Sequence, residues 1–199
     1  MITIVGFLSR PHGYNALCAI IDNPNYHLLK VFTHKLKPKS EDMDRSERDD
    51  YSLFQQICGK NNIPLETIDS NSQIINNVPK CDFIVEISWR YLISQEIVKQ
   101  ASTLAFGVHR GKLPDYAGSE PIKQALEKNE SEIVLSAHHL AEEIDSGGTI
   151  STITHLVNYE NSKSLTQNIQ RLRNEITPLF SKIVEITITK YQSISKEEK

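Results

Sequence analysis

Short runs of β-branched and aromatic residues alternate along this chain with segments of helical periodicity. Ile2 to Phe7 is such a run, and after a Pro/Gly loop the residues Tyr14, Leu17 and Ile20 recur at helical spacing. Phe83 to Ile87 is almost continuously apolar, which is typical of a parallel strand buried on both faces. Alternating strands and helices favour parallel strands joined by crossover helices. We therefore predict an α/β fold with a doubly wound, mainly parallel, twisted sheet.

The other predicted elements extend this pattern. Further strands are predicted over His27 to Phe32, Pro64 to Ile68, Leu104 to Val108, Ile133 to Leu140 and Thr149 to Leu156. Apolar residues at helical spacing from Leu165 to Ile183 predict an amphipathic C-terminal helix, kinked or interrupted near Pro178. The length of 199 residues suits one domain over residues 1–190, with residues 191–199 as a C-terminal tail. The last residues, Ser193 to Lys199, are expected to fray.

Composition excludes several classes of protein. The formal net charge of −3 gives no general basic surface, so we expect no nucleic-acid partner. The three cysteines, Cys18, Cys58 and Cys81, form no C-x-x-C pair, which argues against a disulfide framework and a thiolate metal site. No apolar stretch approaches the roughly 18 residues of a membrane span, and Met1 leads straight into a strand-like run. A cytoplasmic location, with no membrane partner, is therefore expected.

One segment lacks any apolar period. Lys35 to Asp50 is densely charged and contains Pro38. We predict a solvated loop there.

A histidine ends one of the central predicted strands. Leu104 to Val108 delivers His109 at its carboxyl end, and a Gly/Pro-rich loop follows. Open α/β sheets bind their ligands at the carboxyl ends of strands, and an imidazole exposed there can act as an acid or a base. A lone histidine at a strand end is also a common structural residue.

An aspartate stands in a glycine-bounded turn between two later strands. The segment runs from His138 through Asp145 to Gly148. Such an aspartate can accept a hydrogen bond from an imidazole at a neighbouring strand end and favour its protonated form. Asp-Ser-Gly-Gly can equally be a simple turn.

Together the two segments resemble the 10-formyltetrahydrofolate-dependent formyltransferase superfamily, whose fold is Rossmann-like. In that family an Asn-x-His-x-x-x-Leu-Pro element precedes a Gly and a Pro-Ile pair, and a strand, an acidic loop and Asp-x-Gly come later. The matching positions here are His109, Leu113, Pro114, Gly118, Pro121, His138 and Asp145. Asp82 to Ile93 resembles the corresponding strand and loop of sugar N-formyltransferases, to which the chain is most similar.

The resemblance implies an enzyme, an N-formyltransferase that moves a one-carbon unit from 10-formyltetrahydrofolate to an amine. It implies that His109 stabilises the oxyanion and shuttles protons, and that Asp145 orients it. The pterin of the folate would bind, largely through backbone groups, to Trp89, Arg90, Tyr91, Leu92, Ala141, Glu142, Glu143 and Ile144. No metal is implied.

One family residue is absent. Gly107 stands where the family has its catalytic Asn, two residues before His109, and a glycine side chain donates no hydrogen bond. Removal of one oxyanion donor typically costs about a hundred- to a thousandfold in rate. A backbone amide near Gly111, the His138 side chain or a bound water could replace it. Three functions stay open: a transferase, a hydrolase that releases formate, and a folate-binding protein without catalysis.

The loop after the first predicted strand bears on which amine would accept the formyl group. It lacks the compact Gly-rich form that cradles a phosphate in purine synthesis, and the net charge offers little attraction to tRNA. A small-molecule amine remains, most simply an aminosugar, often nucleotide-linked in similar enzymes. Arg10, His12 and Lys112 could meet its phosphates, and each is equally plausible as a solvated loop charge. The oligomeric state is left open, with a homodimer as one option.

Overall fold

The chain divides into two compact units in the computed structural model, Met1–Ala105 and the residues from Phe106 onward. The structure describes residues 1–143 and 145–197. The sequence prediction of a single domain over residues 1–190 stays a prediction.

Parallel strands form the sheet of the first unit. Its elements are β1 (Ile2–Leu8), α1 (Arg10–Asp22), β2 (Tyr26–Thr33), α2 (Tyr51–Lys60), β3 (Leu65–Thr67), β4 (Cys81–Ile87), α3 (Gln95–Val98) and the start of β5 (Ala101–His109). The strand order is β3-β2-β1-β4, and each of these neighbouring pairs is parallel. The carboxyl ends of the four strands therefore lie at one edge of the sheet.

The apolar runs of the first unit are buried, as the sequence indicates. Ile4, Val5, Phe7 and Leu8 of β1 are fully buried, because this central strand has covered faces on both sides. Phe7 stacks on Phe32 of β2, with ring centroids 4.7 Å apart. The core thus holds β1 in place and fixes where its carboxyl end, at Leu8, delivers the following loop.

Antiparallel strands form the second unit. Its elements are the rest of β5, α4 (Pro121–Glu127), β6 (Glu132–His139), β7 (Thr149–Leu156), α5 (Leu165–Ile176) and α6 (Leu179–Glu197). Strand β6 pairs with both β5 and β7, and both pairs are antiparallel. Helix α6 packs against β6 and β7. The prediction of an α/β fold with a mainly parallel sheet and a C-terminal helix is confirmed.

The C-terminal helical region is interrupted where the sequence predicts. Pro178 separates α5 from α6, because proline has no N–H for the helical hydrogen bond. Helix α6 continues to Glu197, whereas the sequence predicts a C-terminal tail from residue 191 that frays from Ser193. Neither glycine nor proline follows Pro178, so nothing in the sequence breaks the helix.

The charged segment from Lys35 to Asp50 has no helix and only an isolated bridge, Leu36 with Glu47. Most of its residues are exposed or half-buried, as a solvated loop would be. Arg48 is the exception, since it is only 2% exposed. The prediction of a solvated loop was therefore wrong for Arg48. In the sequence, this arginine looks the same as the exposed charged residues around it.

Within the described residues, the helices are all too short or too polar to cross a membrane.

Candidate functional site

The register between β5 and β6 brings the residues of the candidate site together in the second unit. Gly107 lies opposite His138, and His109 lies opposite Ser136. Residues two apart on a strand share a face, and directly opposed residues share it too. Gly107, His109, Ser136 and His138 therefore lie on one face of this sheet.

The turn after β6 brings Asp145 to the same place. Asp145 has φ +57°, in the left-handed region that aspartate tolerates better than most residues. Gly147 passes so close to β6 that a Cβ on it would lie 1.8 Å from the His139 carbonyl oxygen. His139 N–H donates to the Gly148 carbonyl (3.1 Å), which closes the turn. The glycine-bounded turn of the sequence thus has a steric reason.

The Asp145 carboxylate lies between the two histidines. Its Oδ2 is 3.3 Å from His109 Nδ1, and its Oδ1 is 3.6 Å from His138 Nε2. Gly118 N–H also donates to Oδ2, at 3.3 Å. The expected proximity of His109 and Asp145 is therefore observed, and the carboxylate is held by a backbone donor as well.

Both ring nitrogens of His109 face acceptors. Nε2 is 2.7 Å from the Tyr116 carbonyl oxygen, so we assign it as a donor. Nδ1 faces the Asp145 carboxylate. An imidazolium carries N–H groups at both positions and can donate to both acceptors. Both ring nitrogens of His109 are thus next to acceptors, and only 11% of its side chain is exposed.

The surroundings of His138 favour the neutral form of its ring. Its side chain is 4% exposed, and burial lowers its pKa, although the charge of Asp145 partly opposes that shift. Nδ1 donates to its neighbour, the His139 carbonyl, at 3.1 Å. In this neutral tautomer Nε2 is a lone-pair acceptor, and it has no hydrogen-bond partner among the described residues. His138 therefore offers an acceptor, not a donor, beside Gly107.

Lys112 lies at a cavity of about 530 Å³ in the second unit. Its ammonium is 3.1 Å from Asp115 Oδ2, and both side chains are more than half exposed. Tyr116 also lines the cavity and donates its hydroxyl to Glu130, which raises the pKa of Tyr116 to about 12. Lys112 is thus an exposed charge, paired with Asp115, that lines this cavity.

The acidic loop before Asp145 is open to solvent. Glu142 and Glu143 are exposed, and Ala141 is half-buried. The Glu143 carbonyl accepts from Ser146 Oγ at 2.9 Å, which shapes the turn. Ile144, also predicted from the resemblance to contact the pterin, lies outside the described residues.

The segment after β4, in the first unit, holds the other residues predicted to bind the pterin. Trp89 stacks on His34 with ring centroids 4.2 Å apart. The Trp89 N–H donates to Glu86 Oε1 (2.7 Å), and the Arg90 N–H donates to His34 Nε2 (3.2 Å). These two backbone donors are thus already used within the chain. Tyr91 is half-buried against His34, and Leu92 is 51% exposed.

Arg10 and His12 begin α1 in the same unit. Arg10 forms an ion pair with Glu41, and the buried His12 side chain is hydrogen-bonded to Ser88. Of the two, Arg10 is the more accessible, with 28% of its side chain exposed. His12 is therefore less suited than Arg10 to meet a ligand directly.

Comparison with known proteins decides the family. A protein-family model described as formyl transferase matches residues 15–180. The chain belongs to the formyl transferase family. This match covers most of both units of the formyl transferase chain, including the β5 end, His138 and the turn that holds Asp145.

Curated relatives include proteins of two activities. Over 115 residues the formyl transferase chain is 30% identical to formyltetrahydrofolate deformylase 2, mitochondrial, of Arabidopsis thaliana, a match covering 56% of this chain and 35% of that protein. Over 128 residues it is 27% identical to the methionyl-tRNA formyltransferase of Clostridium acetobutylicum, covering 62% of this chain and 40% of that protein. The chain thus spans well under two thirds of these relatives.

Solved structures share the fold at low identity. The phosphoribosylglycinamide formyltransferase of Brucella melitensis superposes with a TM-score of 0.69 at 13% identity, covering 96% of this chain and 95% of that one. The sugar 3N-formyl transferase WlaRD gives a TM-score of 0.61 at 18% identity, covering 96% and 64%. These similarities establish the fold.

Sequence reasoning missed Arg48 of this chain. Its burial and its contact with Ser9 could only have been suspected from the apolar residues that follow it, Tyr51 and Phe54. No group of three or more His, Cys, Asp or Glu side chains suited to a metal occurs in the part of the chain that the structure describes.

Proposed function

We propose that this formyl transferase moves the formyl group of 10-formyltetrahydrofolate to a primary amine. The observation that carries the proposal is the contact of Asp145 with His109, 3.3 Å apart at the carboxyl end of β5, within the region that matches the family. A half-buried carboxylate beside an imidazole is a recurrent arrangement in acid–base and oxyanion chemistry.

In the proposed reaction the amine nitrogen attacks the formyl carbon, and the carbonyl electrons move onto oxygen. Collapse of the tetrahedral intermediate breaks the bond between the formyl carbon and folate N10, which takes up a proton as tetrahydrofolate leaves. The attacking nitrogen loses a proton, so the site must move one proton in each direction. His109 is the proposed shuttle, and Asp145 is its proposed positioning partner.

His109 must change one contact to meet an oxyanion. Its Nε2 donates to the Tyr116 carbonyl and its Nδ1 faces Asp145, so neither donor is spare. The oxyanion would replace the Tyr116 carbonyl as the acceptor for Nε2–H. An anionic acceptor is the stronger partner for an imidazolium, which makes the exchange favourable.

We propose that a bound water, rather than the His138 side chain, replaces the missing Asn. The His138 side chain is poorly suited, because its lowered pKa leaves Nε2 as an acceptor. A water bound to His138 Nε2 would donate one hydrogen there and keep its other hydrogen for the oxyanion. Gly107, which has no side chain, lies opposite His138 on the neighbouring strand.

For the acceptor we propose an aminosugar. The structural similarity to a sugar 3N-formyl transferase, whose structure was determined in the presence of dTDP and 5-N-formyl-THF, supports this choice. We also propose that Trp89 to Leu92 contact the pterin of the folate, and we propose the same role separately for Ala141 to Glu143. For Trp89 and Arg90 this contact would use groups other than the backbone N–H, since both backbone N–H groups are occupied.

A second candidate is a hydrolase that releases formate. It is favoured by the 30% identity to a formyltetrahydrofolate deformylase. The unpartnered His138 Nε2 could also accept a proton from an attacking water. Water then replaces the amine as nucleophile, and formate replaces the formylated product.

The test measures loss of 10-formyltetrahydrofolate with and without a panel of aminosugars. The transferase predicts turnover that needs an amine, and the hydrolase predicts turnover without one. His109→Ala and Asp145→Asn should each lower turnover by about a hundredfold or more. His155→Ala, which removes a half-exposed histidine paired with Glu175, is the control and should keep full activity.

Binding is measured separately from turnover. A reduced folate should change the emission of Trp89, the only tryptophan of the chain. p-Aminobenzoylglutamate, which lacks the pterin, is the matched control and should have no such effect. Lack of folate binding by calorimetry at millimolar concentration would contradict all the folate-dependent functions.

A further inference from the structure

Strand β7 has a free edge in the second unit. Among the described strands it pairs with β6 alone, so its other side is open. Just past the end of β7, the Val157 N–H donates to the carbonyl of Ser131, the residue before β6, at 2.8 Å. In an antiparallel pair, residues alternate between bonding to the partner strand and pointing away from it. Thr152, Thr154 and Leu156 therefore direct their backbone N–H and C=O groups outward.

The residue types of β7 do not protect this edge. Its eight residues, Thr149–Leu156, include no proline, lysine, arginine, aspartate or glutamate. Exposed edges are usually blocked by such residues or by a bulge, because an open row of donors and acceptors pairs readily with other chains. The register shift between β6 and β7 lies at Ala137/His138, near the start of β7. The middle of the strand is thus an unprotected pairing edge.

Two cationic side chains from the helices block this edge at its two ends. Lys190 of α6 donates from Nζ to the Ile150 carbonyl at 2.8 Å. Arg171 of α5 donates from Nη2 to the Asn158 carbonyl. Ile150 lies four residues before Thr154, and Asn158 lies four residues after it. The unblocked stretch of the edge is therefore centred on Thr154.

Exposed side chains lie along the same stretch. Leu156 is 64% exposed, and Tyr159, just beyond the strand, is 46% exposed. Thr152 and Thr154 are exposed as well. Apolar and β-branched side chains beside a free edge favour the addition of another strand, because the side chains of that strand can cover them.

We propose that β7 pairs antiparallel with β7 of a second copy of this chain, about a two-fold axis at Thr154. Thr154 would then face its own counterpart, and Thr152 of each copy would face Leu156 of the other. Each of these pairs would exchange two backbone hydrogen bonds, since all of these residues point outward. Identical edges related by a two-fold axis are self-complementary, and the assembly closes at two copies.

The blocked carbonyls select this register over its neighbours. Moving the axis by one residue toward the start of β7 would bring the Ile150 carbonyl into the pairing. Moving it by one residue in the other direction would bring in the Asn158 carbonyl. Both carbonyls already accept a hydrogen bond from a cationic side chain. The axis at Thr154 uses the whole unblocked stretch and neither blocked carbonyl.

This interface is independent of the proposed reaction, since pairing of β7 requires neither turnover nor folate. It assigns a surface and a register where the sequence leaves the oligomeric state open. A few backbone hydrogen bonds and small side chains make a small interface. We therefore expect a reversible dimer whose population rises with protein concentration.

The test is sedimentation equilibrium of the full chain over a range of concentrations. Thr154→Pro should weaken dimerisation by about tenfold or more, because it removes the central N–H donor from both copies. The Thr154 N–H points away from β6, so the pairing of β7 with β6 should be kept, which chemical denaturation checks. Thr154→Val keeps the N–H, and as the matched control it should dimerise within about threefold of wild type.

Two double variants test the register, and they remain informative if Thr154→Pro fails to fold. Thr152→Lys with Leu156→Glu places opposite charges across each outer pair and should dimerise within about threefold of wild type or more tightly. Thr152→Lys with Leu156→Lys places like charges there and should weaken dimerisation by about tenfold or more.

Three results would overturn the proposal. The first is equal dimerisation of the two double variants, which would exclude the axis at Thr154. The second is dimerisation of Thr154→Pro at the strength of wild type, which would place the interface on another surface. The third is wild-type protein that stays monomeric at millimolar concentration, which would leave the edge to a strand of a different protein.

Discussion

At the scale of single residues, two adjacent glycines in the turn after β6 have different structural roles. Gly147 lies against the His139 carbonyl oxygen, 1.8 Å from where a Cβ would be, whereas Gly148 has no atom within 4 Å of that position. The turn carries Asp145 two residues before Gly147. The position of the carboxylate therefore depends on a residue that has no chemistry of its own.

We expect Gly147→Ala to destabilise the protein by about 1–3 kcal/mol, because the methyl group overlaps backbone and must displace the turn. Gly148→Ala should change the free energy of unfolding by less than about 0.5 kcal/mol. Chemical denaturation of both variants measures this difference. Turnover should fall with Gly147→Ala alone, and equal behaviour of the two variants would contradict the steric account.

Gly107 is the other glycine at which we expect an added side chain to have an effect, here on turnover. If water replaces the missing Asn, Gly107→Asn should displace that water and preserve or raise turnover when the new amide reaches the oxyanion. Single-turnover rates for wild type, Gly107→Asn and Gly107→Ala separate the amide from mere bulk, since alanine should fill space without donating. Faster turnover in Gly107→Asn than in an inactive wild type would reveal a folate-binding protein that has lost catalysis.

At the scale of elements, the site depends on one antiparallel pair. Strands β5 and β6 bring Gly107 opposite His138 and His109 opposite Ser136, and a slip of one residue would turn these side chains to the other face. Buried Phe106 and Val108 on β5 and Leu135 and Ala137 on β6 alternate with the site residues, so burial of the opposite face fixes the register. The geometry of the candidate site and the packing of the core thus depend on the same two strands.

Helix α5 has a defined start that can be tested. Ser164 forms a capping box with Gln167, in which each side chain bonds to the other residue's backbone N–H. Ser164→Ala should lower the free energy of unfolding by about 1 kcal/mol. Ser94→Ala is the matched control, because Ser94 is the N-cap of α3 without a side-chain capping bond. A loss in Ser94→Ala as large as in Ser164→Ala would contradict this assignment.

At the scale of the whole molecule, stability is coupled to pH through buried neutral histidines. His34 is fully buried, and burial lowers its pKa to about 3, with the nearby arginines contributing. Its Nδ1–H donates to the Ile68 carbonyl and its Nε2 accepts from the Arg90 N–H, so the folded state uses the neutral ring. Burial also lowers the pKa of His138.

The sign of this effect follows from proton binding. Between pH 6.5 and 3 the unfolded chain protonates His34 and the folded chain does not, so stability is full above 6.5 and falls as the pH is lowered. From pH 7 to pH 5 we expect His34 to contribute a loss of about 2 kcal/mol. Urea unfolding at both pH values should show a smaller loss in His34→Asn than in wild type. His27→Asn, at an exposed position, is the control, and an unchanged pH dependence in His34→Asn would refute the coupling.

Much of this molecule was predictable from local pattern. Apolar runs such as Phe83 to Ile87 identified the strands, and Pro178 identified the break between α5 and α6, because burial and proline geometry act within a few residues. The histidine at the end of β5 and the glycine-bounded Asp145 were recognised by spacing and by their resemblance to the formyltransferases. That resemblance was confirmed by the family match.

Other features depended on residues far apart in the chain. Arg48 looked like any charge in a solvated segment, and only the contacts of that segment with Ser9 and Asp50 buried it. The tautomer of His138 is set by the His139 carbonyl, and its Nε2 faces Asp145. The sequence contains seven histidines and does not show which of them has these neighbours. Sequence by itself determined the elements and the reactive residue types, because these follow from short-range periodicity. Tertiary structure decided which charges are buried and which donors lack acceptors, because burial and hydrogen bonding are set by neighbours that only folding brings together.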